Sequence, residues 1–356
     1  MRAEGAGLQT MTRAKAVCLM SGGLDSTLAA LVTRRAGADV IGVNFSTGFC
    51  VFDHKRAMNL RKKDGGVYNN MALWQGAVAS IPVEVIDVRN EYIEIVKNPA
   101  HGYGKHMNPC IDCRIFMLAG VRQALEQFGA QFVITGEVLN QRPMSQHRSA
   151  LDMIEKDAQL QGLLLRPLSA KLLPPTIPEE KGWVDREKLY GIKGRSRKEQ
   201  LAIAAEFGLT EFMQPAGGCC ALVDDTFSDR LRDLFTNKGK EHVTADDLPL
   251  LKVGRHFRLH AGLKAIIGRD EHENNFLQAH FGGRWFFETV DVNGPVAVHD
   301  GVEPTPDERV RIAAMVARYS DARSLPEVTI KVTHAGESET LRVVPALDDV
   351  FEGMRV

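Results

Sequence analysis

Six consecutive residues, Ser21-Gly22-Gly23-Leu24-Asp25-Ser26, limit what this chain can fold into more than any other stretch. The apolar run Ala16-Val17-Cys18-Leu19-Met20 precedes them and reads as a buried strand. Thr27 to Val32 follows and reads as the first turns of a helix. A strand, a tight glycine turn and a helix start make an anion site, because unbonded backbone N–H groups and the positive helix end converge there. Gly22 and Gly23 let the backbone come close to a bound group, and Ser21 and Ser26 add hydroxyls. Asp25 would repel a phosphate, so its presence points to Mg²⁺ lying between the two. No Gly-Lys-Ser/Thr follows, which excludes a Walker A loop. The plain alternative is a glycine turn with a Ser or Asp cap.

Further strands are expected at 39–45, 82–88, 131–137 and 163–169. A third parallel strand after two strand–helix units predicts an α/β fold with a doubly wound parallel sheet. Ligands of such sheets sit beyond the carboxyl ends of the strands, where the Ser21–Ser26 turn lies. The polar stretch 138–146 falls at the same edge. Its Arg142 can neutralise phosphate charge, while Gln141, Ser145 and Gln146 can bond a base or ribose. A helix is expected from about Gly65-Gly66 to Ala79, and another over 147–158. From about Pro249 onward the pattern changes. Strands near 254–259, 264–268, 285–290, 295–298, 328–332 and 340–344, with helices 270–280 and 307–319, predict a smaller α+β domain.

Six cysteines are present: Cys18, Cys50, Cys110, Cys113, Cys219 and Cys220. Cys110-Ile111-Asp112-Cys113 sits at the start of a helix running to Phe128, so both thiols face one way and the helix end favours thiolate. Together with Cys219 or Cys220, presented by Gly217-Gly218, they make three candidate ligands. Three thiolates can hold a [4Fe–4S] cluster with one open iron. A persulfide on Cys110 or Cys113, resolved by the distant cysteine, fits as well. So do a structural zinc completed by His101 or His106, and thiols without chemistry. Cys50 reads as a small buried hydrophobe.

The densest basic patch, Lys193, Arg195, Arg197 and Lys198, surrounds Ser196, the expected N-cap of a helix 197–207. Cations are unfavourable at a helix start, so the patch points to an external anion such as an RNA backbone; a solvated face is the alternative. The net charge of −1 gives no global sign of a nucleic-acid partner. The composition, 44% hydrophobic and 25% charged, is that of an ordinary globular chain. No apolar run is long enough to span a bilayer and Met1–Arg13 lacks a signal-peptide core. The expectation is a cytoplasmic protein with a flexible tail over 1–13.

The Ser-Gly-Gly-x-Asp-Ser turn resembles the loop of the PP-loop ATP pyrophosphatases, with their adenine nucleotide α-hydrolase-like fold. Asn108-Pro109-Cys110-Ile111-Asp112-Cys113, Thr135-Gly136-Glu137, Arg142 to Gln146 and Gly217-Gly218-Cys219 narrow the likeness to the tRNA-thiolation members, 4-thiouridine synthase-like and 2-thiouridylase-like. The resemblance covers residues 14–235 and implies ATP, Mg²⁺, a sulfur donor and a tRNA uridine whose carbonyl oxygen is adenylated and replaced by sulfur. It implies that Ser21, Gly22, Gly23, Asp25, Ser26, Asn44, Phe45, Gly136 and Arg142 hold ATP, with Asp25 on Mg²⁺. Cys110, Cys113 and Cys219 or Cys220 would carry the sulfur. Within 246–356, the stretch Lys264–Asn274 is similar to the NFACT-type RNA-binding module, which implies an RNA grip by Lys252, Arg255, Arg258 and Arg269. The expected boundaries are 14–245 and 246–356, and a homodimer is compatible with them. A small-molecule substrate and a non-catalytic nucleotide- or RNA-binding role stay open.

Overall fold

The computed structural model describes residues 13–60, 69–212, 220–347 and 351–356. In chain order its elements are β1 (Lys15–Leu19), α1 (Leu24–Arg35), β2 (Asp39–Ser46), α2 (Val51–Ala57), α3 (Met71–Ala79), β3 (Val83–Asp87), α4 (Arg89–Lys97), α5 (Cys110–Phe128), β4 (Phe132–Thr135), α6 (Arg148–Asp157), β5 (Leu164–Leu165), α7 (Ile177–Glu180), α8 (Lys198–Glu206), α9 (Asp225–Lys238), α10 (Leu248–Leu251), β6 (Arg255–His260), β7 (Leu263–Ile267), α11 (Glu271–Ala279), β8 (Trp285–Thr289), β9 (Val296–Gly301), α12 (Pro306–Arg318), β10 (Val328–His334) and β11 (Glu337–Val343). These residues divide into two compact units. One takes 13–47, 69–104 and 109–212; the other takes 48–60, 105–108 and the described residues from 220 onward.

The first unit is a five-stranded sheet in the order β3-β2-β1-β4-β5, every pair parallel. Alternation along β1 explains why its sequence is apolar throughout. Ala16, Cys18 and Met20 join the layer of α1, while Val17 and Leu19 join the layer of α5. The doubly wound parallel fold expected from the sequence is what forms. Cys18 is fully buried, which pushes its thiol far up and removes it from chemistry. Strand β5 is two residues long rather than the seven expected, since Pro167 has no N–H for a ladder and the Arg166 side chain turns inward to Glu137 and Glu155. Helix α3 begins at Met71, capped by Asn70, whose side-chain oxygen accepts from Ala72 and Leu73 N–H at 3.0 and 3.1 Å. The expected start at 65–66 lies outside the described residues.

The second unit has a six-stranded antiparallel sheet in the order β11-β10-β8-β9-β7-β6. Helix α12 packs Ile312, Ala313, Met315 and Val316 on it, and α11 contributes Phe276 and Leu277 to a smaller cluster. A capping box of Thr305 and Glu308, with Pro306 at the first position, starts α12. No helix among the described residues is long and apolar enough to cross a membrane.

Candidate functional site

The glycine turn forms at the carboxyl end of β1, as the parallel topology requires. Gly22 has φ +75°, and a Cβ there would fall 2.5 Å from the backbone of Met71. Gly136, at the exit of β4, is tighter: a Cβ would lie 2.4 Å from the backbone of Asp25 and Ser26. Glycine at 136 therefore lets the β4 exit rest on the turn itself. The two serines fold the turn inward. Ser26 Oγ donates to Gly23 O at 2.9 Å and lies 3.3 Å from Ser21 Oγ, while Thr27 Oγ1 donates to Gly23 O at 3.1 Å. Gly23 stands at the N-cap of α1 with no side chain capping the first turn. That leaves the first-turn amides of a twelve-residue helix for an anion.

Asp25 lies in this first turn and collects the side chains around it. Gln141 Nε2 donates to Asp25 Oδ2 at 2.7 Å and Arg197 Nη2 donates to the same oxygen at 2.8 Å. Gln200 Nε2 donates to Gln141 Oε1 at 3.1 Å. Asp25 Oδ1 and Arg197 Nε are buried and lack hydrogen-bond partners. A short parallel bridge delivers Arg197: Leu139 pairs with Lys193, and Gly194 N donates to Leu139 O at 2.7 Å. The chain from 193 to 200 is thereby laid beside the 139–141 loop. Sequence reading assigned Arg197 to an RNA backbone; the structure puts it on Asp25, while Lys193, Arg195 and Lys198 are exposed. Arg197 is also the N-cap of α8, one residue later than the Ser196 cap expected. Gln200 was missed altogether. A polar residue on the buried side of a predicted helix was the available signal.

The other expected nucleotide residues are placed as follows. Asn44 Nδ2 donates to Met20 O at 2.7 Å and ties the ends of β2 and β1 together. Phe45 lies over Gly120 of α5, where a Cβ would meet its ring at 2.8 Å. Arg142 is exposed and its charge reaches Cys110. Buried Glu137 is held below the usual carboxylate range: burial alone would raise it, but Arg166 and Arg114 outweigh that.

Cys110 and Cys113 occupy the first and fourth positions of α5, which starts at Cys110 itself, and Cys113 N–H bonds to Pro109 O at 2.8 Å. Both are partly buried. Burial pushes the Cys110 thiol up and Arg114 and Arg142 only partly offset it, so the thiolate expected from the helix end is not favoured at this residue. His101 is tied to Asp112, Nδ1 to Oδ1 at 2.9 Å. Cys219, with Gly217 and Gly218, lies outside the described residues. Cys220 belongs to the second unit, as do Cys50 and His106, which pairs with Asp225 at 3.1 Å. Among the described residues no group of three or more His, Cys, Asp or Glu could hold a metal ion. Cys110 and Cys113 are two of the three cysteines that a cluster was expected to use.

In the second unit the four cations expected to grip RNA are engaged internally. Arg258 and Lys264 both bond Asp233 Oδ2 at 2.8 Å, Arg269 bonds Glu273, and Lys252 donates to Gly48 O. Arg255 donates to Gly268 O at 3.1 Å and stands over the Tyr319 ring at 4.6 Å.

Residues 14–179 match the family model described as the tRNA methyl transferase HUP domain, and residues 254–353 match the NFACT protein RNA binding domain. Both fall where the sequence carried its resemblances. A tRNA-specific 2-thiouridylase MnmA of Xanthobacter autotrophicus is 28% identical over 204 residues, 55% of this chain and 47% of that protein. A probable tRNA sulfurtransferase of Thermococcus kodakarensis is 30% identical over 136 residues, 38% of this chain and 32% of that one. A solved 4-thiouridine synthetase–RNA complex with bound ATP is similar at 19% identity and TM-score 0.36, over 67% of this chain and 52% of that one. The chain thus spans about half the length, or less, of the curated relatives it matches.

Proposed function

From a chain with a HUP-type sheet in its first unit and an NFACT-type RNA-binding match in its second, we propose an ATP-dependent tRNA thiolation enzyme. The single observation that carries this reading is Asp25. Its carboxylate stands at an uncapped helix start, with one buried oxygen unpartnered and the other bonded to Arg197 and Gln141. An unpartnered buried carboxylate oxygen is a donor that suits Mg²⁺. The free amides of the first turn of α1 suit the phosphates beside it.

ATP bound there supplies an adenylyl group for a uridine carbonyl oxygen, making that oxygen a leaving group. The remaining work belongs to residues of this chain. The first turn of α1 and the hydroxyl of Ser21 orient the phosphates, while Ser26 braces the turn through Gly23 O. Arg197 offsets negative charge as pyrophosphate separates. Arg142, exposed near Cys110, holds the anionic end of the activated base. Sulfur is presented by Cys110 and Cys113 on one turn of α5. The sulfur donor is a persulfide or sulfide, and the second unit binds the RNA.

Two variants test this together. Asp25→Asn should lower RNA-dependent pyrophosphate release by about a hundredfold or more and abolish thiolation with it. Cys110→Ala should abolish thiolation and leave ATP binding at wild-type affinity. Normal thiolation by Cys110→Ala, or undiminished pyrophosphate release by Asp25→Asn, would sink the reading.

A further inference from the structure

A cavity of about 360 Å³ opens within the second unit, lined by the turn after β7, one side of α11, the entry to β9 and the end of α12. That size falls among small-ligand pockets, roughly 300–1,000 Å³. Its lining divides into rigid surfaces and amides. Tyr319, the C-cap of α12, supplies a ring, and Arg255 of β6 lies over it with the guanidinium carbon 4.6 Å from the centroid. Arg255 Nη1 also donates to Gly268 O at 3.1 Å, which holds the guanidinium plane in place. Pro295 adds a further rigid apolar surface.

The amides come from α11. Phe276 and Leu277 of that helix turn into the core, and Asn274, Asn275 and Gln278 stand together along the cavity. Asn274 has one orientation. Its Oδ1 accepts from Val296 N at 3.2 Å, and a backbone N–H can only donate, so the NH₂ is the group left for a ligand. That NH₂ bonds nothing among the described residues. Gly268 permits the placement, because a Cβ there would collide with Asn274 Oδ1.

Charge at the rim decides which part of a nucleotide belongs here. Arg269 is committed to Glu273 through two bonds of its Nε. Asp270 and Glu271 are exposed at the mouth, against the single charge of Arg255. A phosphate would meet two carboxylates for one available cation. A neutral, planar group carrying acceptors meets stacking surfaces and an amide donor instead. Those are the groups that hold an unpaired base, with aromatic and guanidinium planes for its face and amides for its edge.

We propose that this cavity receives one unpaired base of a single-stranded RNA segment. This rests on the reading that the second unit binds RNA, and deepens it by making Arg255 a stacking plane rather than a phosphate grip. The base lies against the Arg255–Tyr319 stack, and Asn274 donates to an acceptor on its edge. The phosphates stay outside, away from Asp270 and Glu271.

The test uses the full chain without ATP and reads fluorescence anisotropy of a short, end-labelled, mixed-sequence RNA strand. The strand should bind, and the same strand annealed to its complement should compete poorly. Arg255→Lys keeps the charge and loses the plane, so it should weaken binding about tenfold. Asn274→Asp keeps the oxygen that accepts from Val296 N and loses the NH₂, and should weaken binding about as much. Melting temperatures report whether each variant folds. A measurement without substitution accompanies them: irradiating a bound strand that carries 5-iodouridine should cross-link tryptic peptide 319–323, which begins with Tyr319. Wild-type affinity in Arg255→Lys makes Arg255 a phosphate contact and overturns the base pocket. So does a cross-link confined to other peptides, or a duplex that competes as well as the strand. Free UMP that displaces the strand at equal concentration reassigns the cavity to a mononucleotide and overturns its RNA assignment. Wild-type protein that binds neither strand nor duplex takes down the RNA-binding reading as well, whereas the other outcomes leave that reading standing. None of them touches Asp25-dependent pyrophosphate release.

Discussion

The two units solve opposite problems with charge. Around Asp25 in the first unit, two buried polar atoms of the Asp25–Arg197 pair are left without partners. Around Asp233 in the second, Arg258 bonds both carboxylate oxygens and Lys264 adds a third contact. Asp233 is held below its usual range, since the two cations outweigh the effect of burial. Unsatisfied buried polar atoms cost stability, so at an uncapped helix start they suit a ligand that completes them. A saturated carboxylate is instead a brace. The difference between these two aspartates separates a site from a scaffold more sharply than burial does.

The largest way to break the contrast is at glycine. Gly136→Ala puts a methyl group 2.4 Å from the backbone of Asp25 and Ser26, and that backbone has no flexible end to yield. The turn must shift, at a cost of roughly 2–3 kcal/mol. Thermal melting should show it, with nucleotide binding lost in the same variant. Gly353 is the control from the second unit: a Cβ there meets nothing within 4 Å, so Gly353→Ala should stay within about 0.5 kcal/mol of wild type. Equal melting shifts would mean that Gly136 is not a close-approach position.

A smaller effect is expected at the arginines. Arg197→Ala should slow pyrophosphate release about tenfold, because charge stabilisation is lost at the phosphates, and Arg197→Lys should recover part of it. Arg258→Ala should destabilise the second unit by about 1–2 kcal/mol, with Lys264 still bonded to Asp233, and leave pyrophosphate release unchanged. The reverse pattern, a melting loss at Arg197 with normal turnover, would make the Asp25–Arg197 pair another brace.

Legibility in the sequence divided along the same line. In the second unit the main sheet is antiparallel, its strands carry their own periodicity, and every expected strand and helix formed within a few residues. In the first, the glycine turn and the Cys110–Cys113 pair announced themselves because each is local. The partners of Asp25 did not, because they come from residues 141 and 197. A parallel sheet collects loops from distant parts of the chain at one edge, and no short window of sequence records which of them meet. Arg197 in particular looked like one cation of an exposed basic run. Only the bridge of Leu139 to Lys193 turns it inward. Cys50, expected to be buried, is partly buried and faces residue 220 across a backbone bridge that no local window records.

Acid should separate the two units, and this is the smallest effect expected. His54, on α2 of the second unit, has its pKa lowered to about 4, first by burial and then by Lys252 and His280, against an opposing pull from Glu273. The folded chain keeps His54 neutral where the unfolded chain, near the ordinary value of about 6.5, takes up a proton. Stability contributed by the neutral imidazole is therefore present above about pH 6.5, declines as pH falls toward about 4, and levels off below. Because the ring is partly exposed, solvent screening keeps this to about 1 kcal/mol or less. Fully buried His256, also lowered, adds in the same direction. Glu137 of the first unit is lowered below the carboxylate range, so its contribution stays intact above about pH 4.5 and is lost only as pH falls through its lower folded value. Between pH 6.5 and 4.5 the second unit should weaken while the first holds. Hydrogen exchange resolved by segment would show faster opening in α2 and α11, with β1 and β4 unchanged. His54→Gln should flatten part of that dependence, and an unchanged slope in the variant would remove His54 from the account.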